Sequence, residues 1–244
     1  MKTAILFDLG GTLAEYYDRS QTAAVLDEAL AEVQKFLEEA SLLGAAPEAA
    51  LQQMHSEREA GDYRVRPLVE RLMRVFELDG LDPSGNLALE MCRRFLRPIF
   101  ARGRCYEDTL PVLRKLRSRG LKTAIVSNTP WGSPGALWRE ELARLGLSDL
   151  VDAAVFCTDV GWRKPARQIF DFALERLHAT PQESLFVGDH PVWDIAGARG
   201  AGIDALLIDR YGNVQGEEPV IHNLYELANG LCWIPAQNYG KRRL

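Results

Sequence analysis

Short, largely apolar segments of strand length recur along this chain at 3–9, 122–126, 153–156, 184–187 and 204–208. Helical patterns at 109–117, 137–145, 168–177 and 194–201 precede or separate the later ones. This alternation limits the fold more than any other feature. A strand with one wet face alternates apolar and polar residues, whereas a continuous apolar run of strand length is buried on both faces. Neighbouring parallel strands need a crossover, and the intervening segments have the length and period of crossover helices. The expected fold class is therefore α/β, with a parallel sheet between helical layers. A last helix is expected near 224–231, and the basic tail at 241–244 reads as frayed.

Residues from about 16 to 100 interrupt the alternation. They are rich in Ala, Leu, Glu, Gln and Arg, and Val25, Leu26, Ala29, Val33, Phe36, Leu37 and Ala40 recur at helical spacing. Pro47 and Pro67 suit the first turns of a second and a third helix, and a fourth is expected over 87–100, after the Pro83-Ser84-Gly85 break. The expected organisation is an α/β core of 1–15 and 104–244, with a helical insertion of four helices at 16–103.

Composition excludes several classes. With 47% hydrophobic and 26% charged residues the chain can bury a full core, so disorder and collagen-like repeats are ruled out. Twenty-nine basic against 34 acidic residues leave a net charge of −5, which argues against a nucleic-acid surface. The four cysteines form no CxxC pair and suit reduced, buried thiols. No apolar stretch reaches 18 residues and the N-terminal run stops at Asp8, so neither a membrane span nor an export signal is expected. The chain reads as cytoplasmic, as a monomer or homodimer.

Ligands of open α/β sheets bind beyond the carboxyl ends of the strands. The first run ends at Asp8, followed by Gly10, Gly11 and Thr12, and the second is followed by Ser127 and Asn128. The loop after the third carries Lys164, and the fourth run leads into Gly188-Asp189, with Asp194 five residues on. Carboxylates, a hydroxyl and a lysine thus converge from separate segments on one edge. Asp8 can act as a covalent nucleophile toward phosphorus. The glycine turn at Gly11 and Thr12 can offer backbone N–H groups to a phosphate. Ser127 and Lys164 can stabilise a transferring phosphoryl group, and Asn128 can support their loop. Asp8 and Asp189, assisted by Asp194, form a hard-oxygen pocket suited to Mg²⁺.

These residues resemble the haloacid dehalogenase (HAD) superfamily of hydrolases. The resemblance rests on Phe7-Asp8-Leu9-Gly10-Gly11-Thr12-Leu13, on Ser127-Asn128, on Lys164-Pro165 and on Gly188-Asp189 through Asp194 to Gly202, in order and over most of the chain. It implies a Rossmann-like core of strand order 5-4-1-2-3 and a cap in the inserted helices. It also implies Mg²⁺ held by Asp8, the Gly10 carbonyl, Asp189 and Asp194, an aspartyl-phosphate at Asp8, and a small phosphorylated substrate.

One position departs from the pattern. Family phosphatases usually carry an aspartate two residues after the nucleophile, as general acid and base, and here that position is Gly10. Three explanations stand open. The substrate has a good leaving group, such as an acyl or aryl phosphate; another residue substitutes, His190 being nearest in sequence to Asp189; or catalysis is weak and the protein binds rather than turns over. The dehalogenase branch also lacks this aspartate, but usually has an aromatic there and needs no metal. The phosphonate branch needs a cap lysine, and Lys35 is the only lysine between 16 and 100. Both rank below phosphatase. Arg58, Tyr63, Arg64 and Arg66 read as a solvated interhelical stretch, with substrate reading as the alternative. Trp131, Trp138, Trp162 and Trp193 lie near strand ends and can wall a cavity or pack loops.

Overall fold

A computed structural model of the chain describes residues 2–42, 52, 54, 61–213 and 220–230. Its strands are β1 (Ala4–Phe7), β2 (Ala14–Glu15), β3 (Arg104–Cys105), β4 (Lys122–Ser127), β5 (Ala153–Phe156), β6 (Ser184–Gly188), β7 (Asp204–Ile208) and β8 (Val220–Ile221). Six of them form one sheet in the order β5-β4-β1-β6-β7-β8, every pair parallel. Numbered along the chain, the five foreseen strands stand 3-2-1-4-5, which is the expected 5-4-1-2-3 order read from the other edge. The sixth, β8, has two residues and carries no readable pattern.

The continuous apolar runs are explained by two separate cores. Ile5, Phe7, Ile125, Leu185 and Val187 enter one cluster, while Ala4, Leu6, Ala124, Val126 and Phe186 enter another. Successive strand residues point to opposite faces, so a sheet covered on both sides needs apolar residues at every position. Helices Thr109–Ser118 and Leu224–Gly230 contribute to the first cluster, as do Thr22–Glu39 and Asn86–Arg102 from the insertion. Helix Arg167–Leu177 builds much of the second.

In the insertion, helix Leu68–Val75 starts directly after Pro67, as expected. The helix expected at Pro47 lies outside the described residues, apart from 52 and 54. The paired β2 and β3, which sequence patterns do not reveal, join the points where the chain leaves for the insertion and returns (Ala14 opposite Cys105, Glu15 opposite Arg104). Among the described residues, no helix is long and apolar enough to cross a membrane.

Cys92, Cys105 and Cys157 are free thiols, and Cys232 lies outside the described residues. Cys92 is fully buried, and burial pushes its thiol up to about 12 from an ordinary value of 9.0. The folded thiol thus holds its proton where the unfolded one loses it. The associated stability is fully present below about pH 9 and is lost as pH rises toward 12, at about 1.4 kcal/mol per unit for a single group. Denaturant titrations at pH 8 to 11 are expected to show a shallower alkaline decline for Cys92→Ala than for wild type.

Candidate active site

The parallel register places three strand ends side by side. Phe7 lies opposite both Ile125 and Val187, so the next residue, Asp8, emerges between the ends of β4 and β6. The Asp8 amide donates to the Val187 carbonyl at 2.9 Å, which holds the residue at the sheet edge. Ser127 closes β4 and donates its hydroxyl to Asp8 Oδ1 at 3.1 Å. Lys164, only 3% exposed, donates through Nζ to Asp8 Oδ1 and to Asp194 Oδ1, both at 2.6 Å. A buried ammonium is tolerable only when paired, and here two carboxylates share it. Burial disfavours its charge, but Asp194 and Asp8 outweigh burial and hold Lys164 above the ordinary lysine range. Burial pushes the Asp8 carboxyl up; Lys164 opposes this and Asp194 adds to it.

Asn128 fixes the lysine from behind. Its Oδ1 accepts from the Lys164 amide at 2.8 Å, and its Nδ2 donates to the Lys164 carbonyl at 3.2 Å. Asp194 sits in a six-residue π-helical segment, Pro191–Ala196, which runs into an α-turn at Gly197–Gly200. The helix expected from 194 thus begins three residues earlier and is wound differently. Its start is set by His190, whose Nδ1 accepts from the amides of Val192 and Trp193, each at 3.1 Å. Protonating Nδ1 removes that cap, and the ring stacks on Trp193 with centroids 4.0 Å apart. His190 is a structural cap and does not line the cavity at Asp8.

Carboxylate oxygens of Asp8, Asp189 and Asp194 lie within 4.8 Å of one another, close enough for one small cation to reach all three. Two glycines make this packing feasible. A Cβ on Gly11, at φ +78°, falls 2.5 Å from Asp189 Oδ2, and one on Gly188 falls 2.4 Å from Asp194 Cγ. Gly188→Ala must displace Asp194 and is expected to cost about 1–3 kcal/mol in thermal denaturation. Gly200→Ala, with nothing within 4 Å, is the matched control.

The glycine turn uses its own amides. The Gly11 amide donates to the Ala14 carbonyl and the Thr12 amide to the Leu9 carbonyl, so the turn uses both internally. Gly11 lines the cavity, but Thr12 is fully buried and does not. Thr12 contributes its carbonyl, which Arg210 Nε reaches at 3.1 Å while Arg210 Nη1 and Nη2 hold Asp108 at 3.0 and 3.1 Å. Gly10 lies on the cavity wall, and nothing stands closer to its missing Cβ than Tyr16 Cδ2 at 3.9 Å.

The haloacid dehalogenase-like hydrolase family matches residues 2–202 of the chain. The chain belongs to this family. As a haloacid dehalogenase-like hydrolase it is 32% identical to the glyceraldehyde 3-phosphate phosphatase of Methanopyrus kandleri over 221 residues, which cover 90% of this chain and 88% of that one. Among solved structures it resembles a HAD phosphatase from Thermococcus onnurineus (TM-score 0.65, 27% identity, 95% and 98% of the two chains). It also resembles a 2-haloacid dehalogenase from Pseudomonas syringae pv. Tomato (TM-score 0.69, 27% identity, 95% and 99%).

The hydrolase cavity has a volume of about 530 Å³. Trp138 and Trp193 wall it, while Trp131 packs edge-on against Phe95 and Trp162 lies under Arg64, 3.7 Å from its guanidinium carbon. Arg66 pairs with Asp62, Tyr63 is exposed, and none of Tyr63, Arg64 and Arg66 lines the cavity. Arg58 lies outside the described residues. Sequence reasoning missed Tyr16, Tyr17, Tyr106 and Tyr211 in the wall, together with Arg210. No motif marks them; the only available signal was proximity to the end of a strand legible in the sequence, which holds for Tyr211 after β7 but not for Tyr16 and Tyr106, which follow the two-residue strands β2 and β3.

Proposed function

We propose that this HAD hydrolase is a phosphatase for a small phosphorylated substrate, with Asp8 as the nucleophile. The observation that carries this reading is the buried Asp8–Lys164–Asp194 bridge, with both contacts at 2.6 Å, beside Asp189. Asp8 attacks phosphorus, the ester or anhydride oxygen leaves with its electron pair, and an aspartyl-phosphate forms. Water then attacks that phosphorus and restores the carboxylate. Lys164 and Ser127 stabilise charge on the transferring oxygens from positions already set before substrate enters, and such preorganisation is where electrostatic catalysis gains most. Asn128 keeps Lys164 in place. Gly11 lets the chain pass close to Asp189.

The donor set fits a hard divalent cation, since three carboxylates meet and the glycine cradle leaves no Cβ in their way. Asp8, the Gly10 carbonyl, Asp189 and Asp194 are the residues to hold Mg²⁺, which when bound supplies charge neutralisation for the phosphoryl group. The inserted helices at 16–103 serve as a cap over the cavity, which Ile99 lines from helix Asn86–Arg102. The phosphatase names among the relatives support this reading. The dehalogenase likeness makes halide release the reading to test against it, and a metal-independent enzyme has less use for three clustered carboxylates. Phosphate release from acetyl phosphate is expected with Mg²⁺ and is expected to stop with EDTA, and 2-chloropropionate is expected to yield no chloride. Metal-independent chloride release overturns the assignment.

A further inference from the structure

The reading of Asp8 as a phosphatase nucleophile leaves open what the leaving group is, and the cavity walls bear on that directly. The side of Asp8 where an acid is expected presents Gly10, without a side chain. The nearest neighbour is the ring of Tyr16, whose orientation follows from two contacts. Its Cδ2 lies 3.9 Å from a Cβ built on Gly10, and its Cε1 lies 2.7 Å from a Cβ built on Gly103. These two carbons are opposite corners of the ring. The hydroxyl, bonded next to Cε1, therefore stands toward Gly103, where Glu141 Oε1 is 2.6 Å from the same built Cβ. Tyr16 turns a hydrocarbon edge to the Gly10 side, and its buried hydroxyl meets no hydrogen-bond partner. Among the described residues, chain neighbours aside, no proton-donating atom lies within 4 Å of a Cβ built on Gly10, and His190 does not line the cavity.

The charge lining the cavity is the second, independent observation. Among the described residues its cationic side chains are Lys164 and Arg210. Lys164 is shared by Asp8 and Asp194, and Arg210 is spent on Asp108 and the Thr12 carbonyl while stacking over Tyr106 at 3.7 Å. Asp18 and Asp209 add carboxylates to the lining, as does Glu15, which is paired with Arg104, and Tyr17, Tyr106 and Trp193 add aromatic surface. Among the described residues, a second phosphate or a carboxylate on the substrate meets no uncommitted cation in the cavity, whereas a flat apolar body meets rings.

We infer that the substrate is a monophosphate ester of an acidic, aromatic alcohol, a phenol-type leaving group carrying no second anionic group. Such a group departs as a stable phenolate, takes its proton from water afterwards, and needs no general acid. The overall balance is aryl phosphate plus water giving phenol plus inorganic phosphate.

The test compares kcat/KM of the wild-type protein, with Mg²⁺, on four compounds. Acetyl phosphate reports the Asp8 chemistry alone. Phenyl and cyclohexyl phosphate match in size and differ in leaving-group acidity, and phenyl phosphate is expected to be faster by at least ~100-fold, the scale of a missing general acid. 4-Carboxyphenyl phosphate has the better leaving group and an added charge, and is expected to be slower than phenyl phosphate by about tenfold, the scale of one uncompensated charge contact. Equal rates for phenyl and cyclohexyl phosphate, or a faster 4-carboxyphenyl ester, overturn the inference. If acetyl phosphate is still hydrolysed in an Asp8-dependent way in that case, the phosphatase reading survives it. If none of the four is hydrolysed, both fall.

Discussion

Asp8→Asn is expected to lower the rate of acetyl phosphate hydrolysis by at least ~10⁴-fold, because an amide oxygen cannot form the acyl-phosphate that splits the reaction into two easier steps. The exchange is nearly isosteric, and the surroundings remain satisfied. Lys164 keeps its 2.6 Å contact with Asp194, and the Ser127 hydroxyl retains an oxygen to donate to. One of three crowded carboxylates loses its charge. The loss should therefore appear in kcat with the thermal midpoint within a few degrees of wild type. Phosphate release within tenfold of wild type in a folded Asp8→Asn protein removes Asp8 from the chemistry.

Gly10→Asp is expected to act in the opposite direction. It should raise turnover of cyclohexyl phosphate by about 10²–10⁴-fold, the range over which a positioned general acid contributes, and change acetyl phosphate turnover little. The geometry permits it. Gly10 does not adopt the left-handed backbone of its neighbour Gly11, and a Cβ there meets only the Tyr16 ring edge at 3.9 Å. Gly11→Asp, by contrast, collides with Asp189. A steady-state comparison of the two esters decides the matter. If Gly10→Asp folds, hydrolyses acetyl phosphate and gains nothing on the alkyl ester, the missing carboxyl is not what limits this site.

Most of the core was legible because burial on both faces of the sheet leaves a plain mark, a run such as Ala4-Ile5-Leu6-Phe7 with no polar residue in it. Helix Arg167–Leu177 was legible for a related reason, its buried Ile169, Phe170, Ala173, Leu174 and Leu177 repeating at helical spacing. The two-residue strands β2, β3 and β8 were not legible, since pairing and not composition defines them. The π-helical winding over Pro191–Ala196 depends on the His190 cap and the Asp194 contacts, which a periodicity cannot express.

The site divides in the same way. Asp8, Ser127, Asn128 and Asp189 stood out in the chain because each closes or directly follows an apolar run, and Lys164 and Asp194 because they lie in the segments beyond two such runs. Which of them touch was a matter of packing. Nothing local says that Lys164 lies between Asp8 and Asp194, or that Thr12 turns inward while its carbonyl meets Arg210. The aromatic wall is wholly a tertiary outcome, since Tyr16, Tyr106 and Trp193 come from segments with no shared pattern. Residue order along the chain thus specified the sheet, its covered faces and the polar rim, because burial periodicity is a local property. Only folding in three dimensions decided the ion-pair partners and the character of the cavity, because those depend on side chains brought together from separate segments, Lys164 from Asp194 by 30 positions and Asp8 from Lys164 by 156.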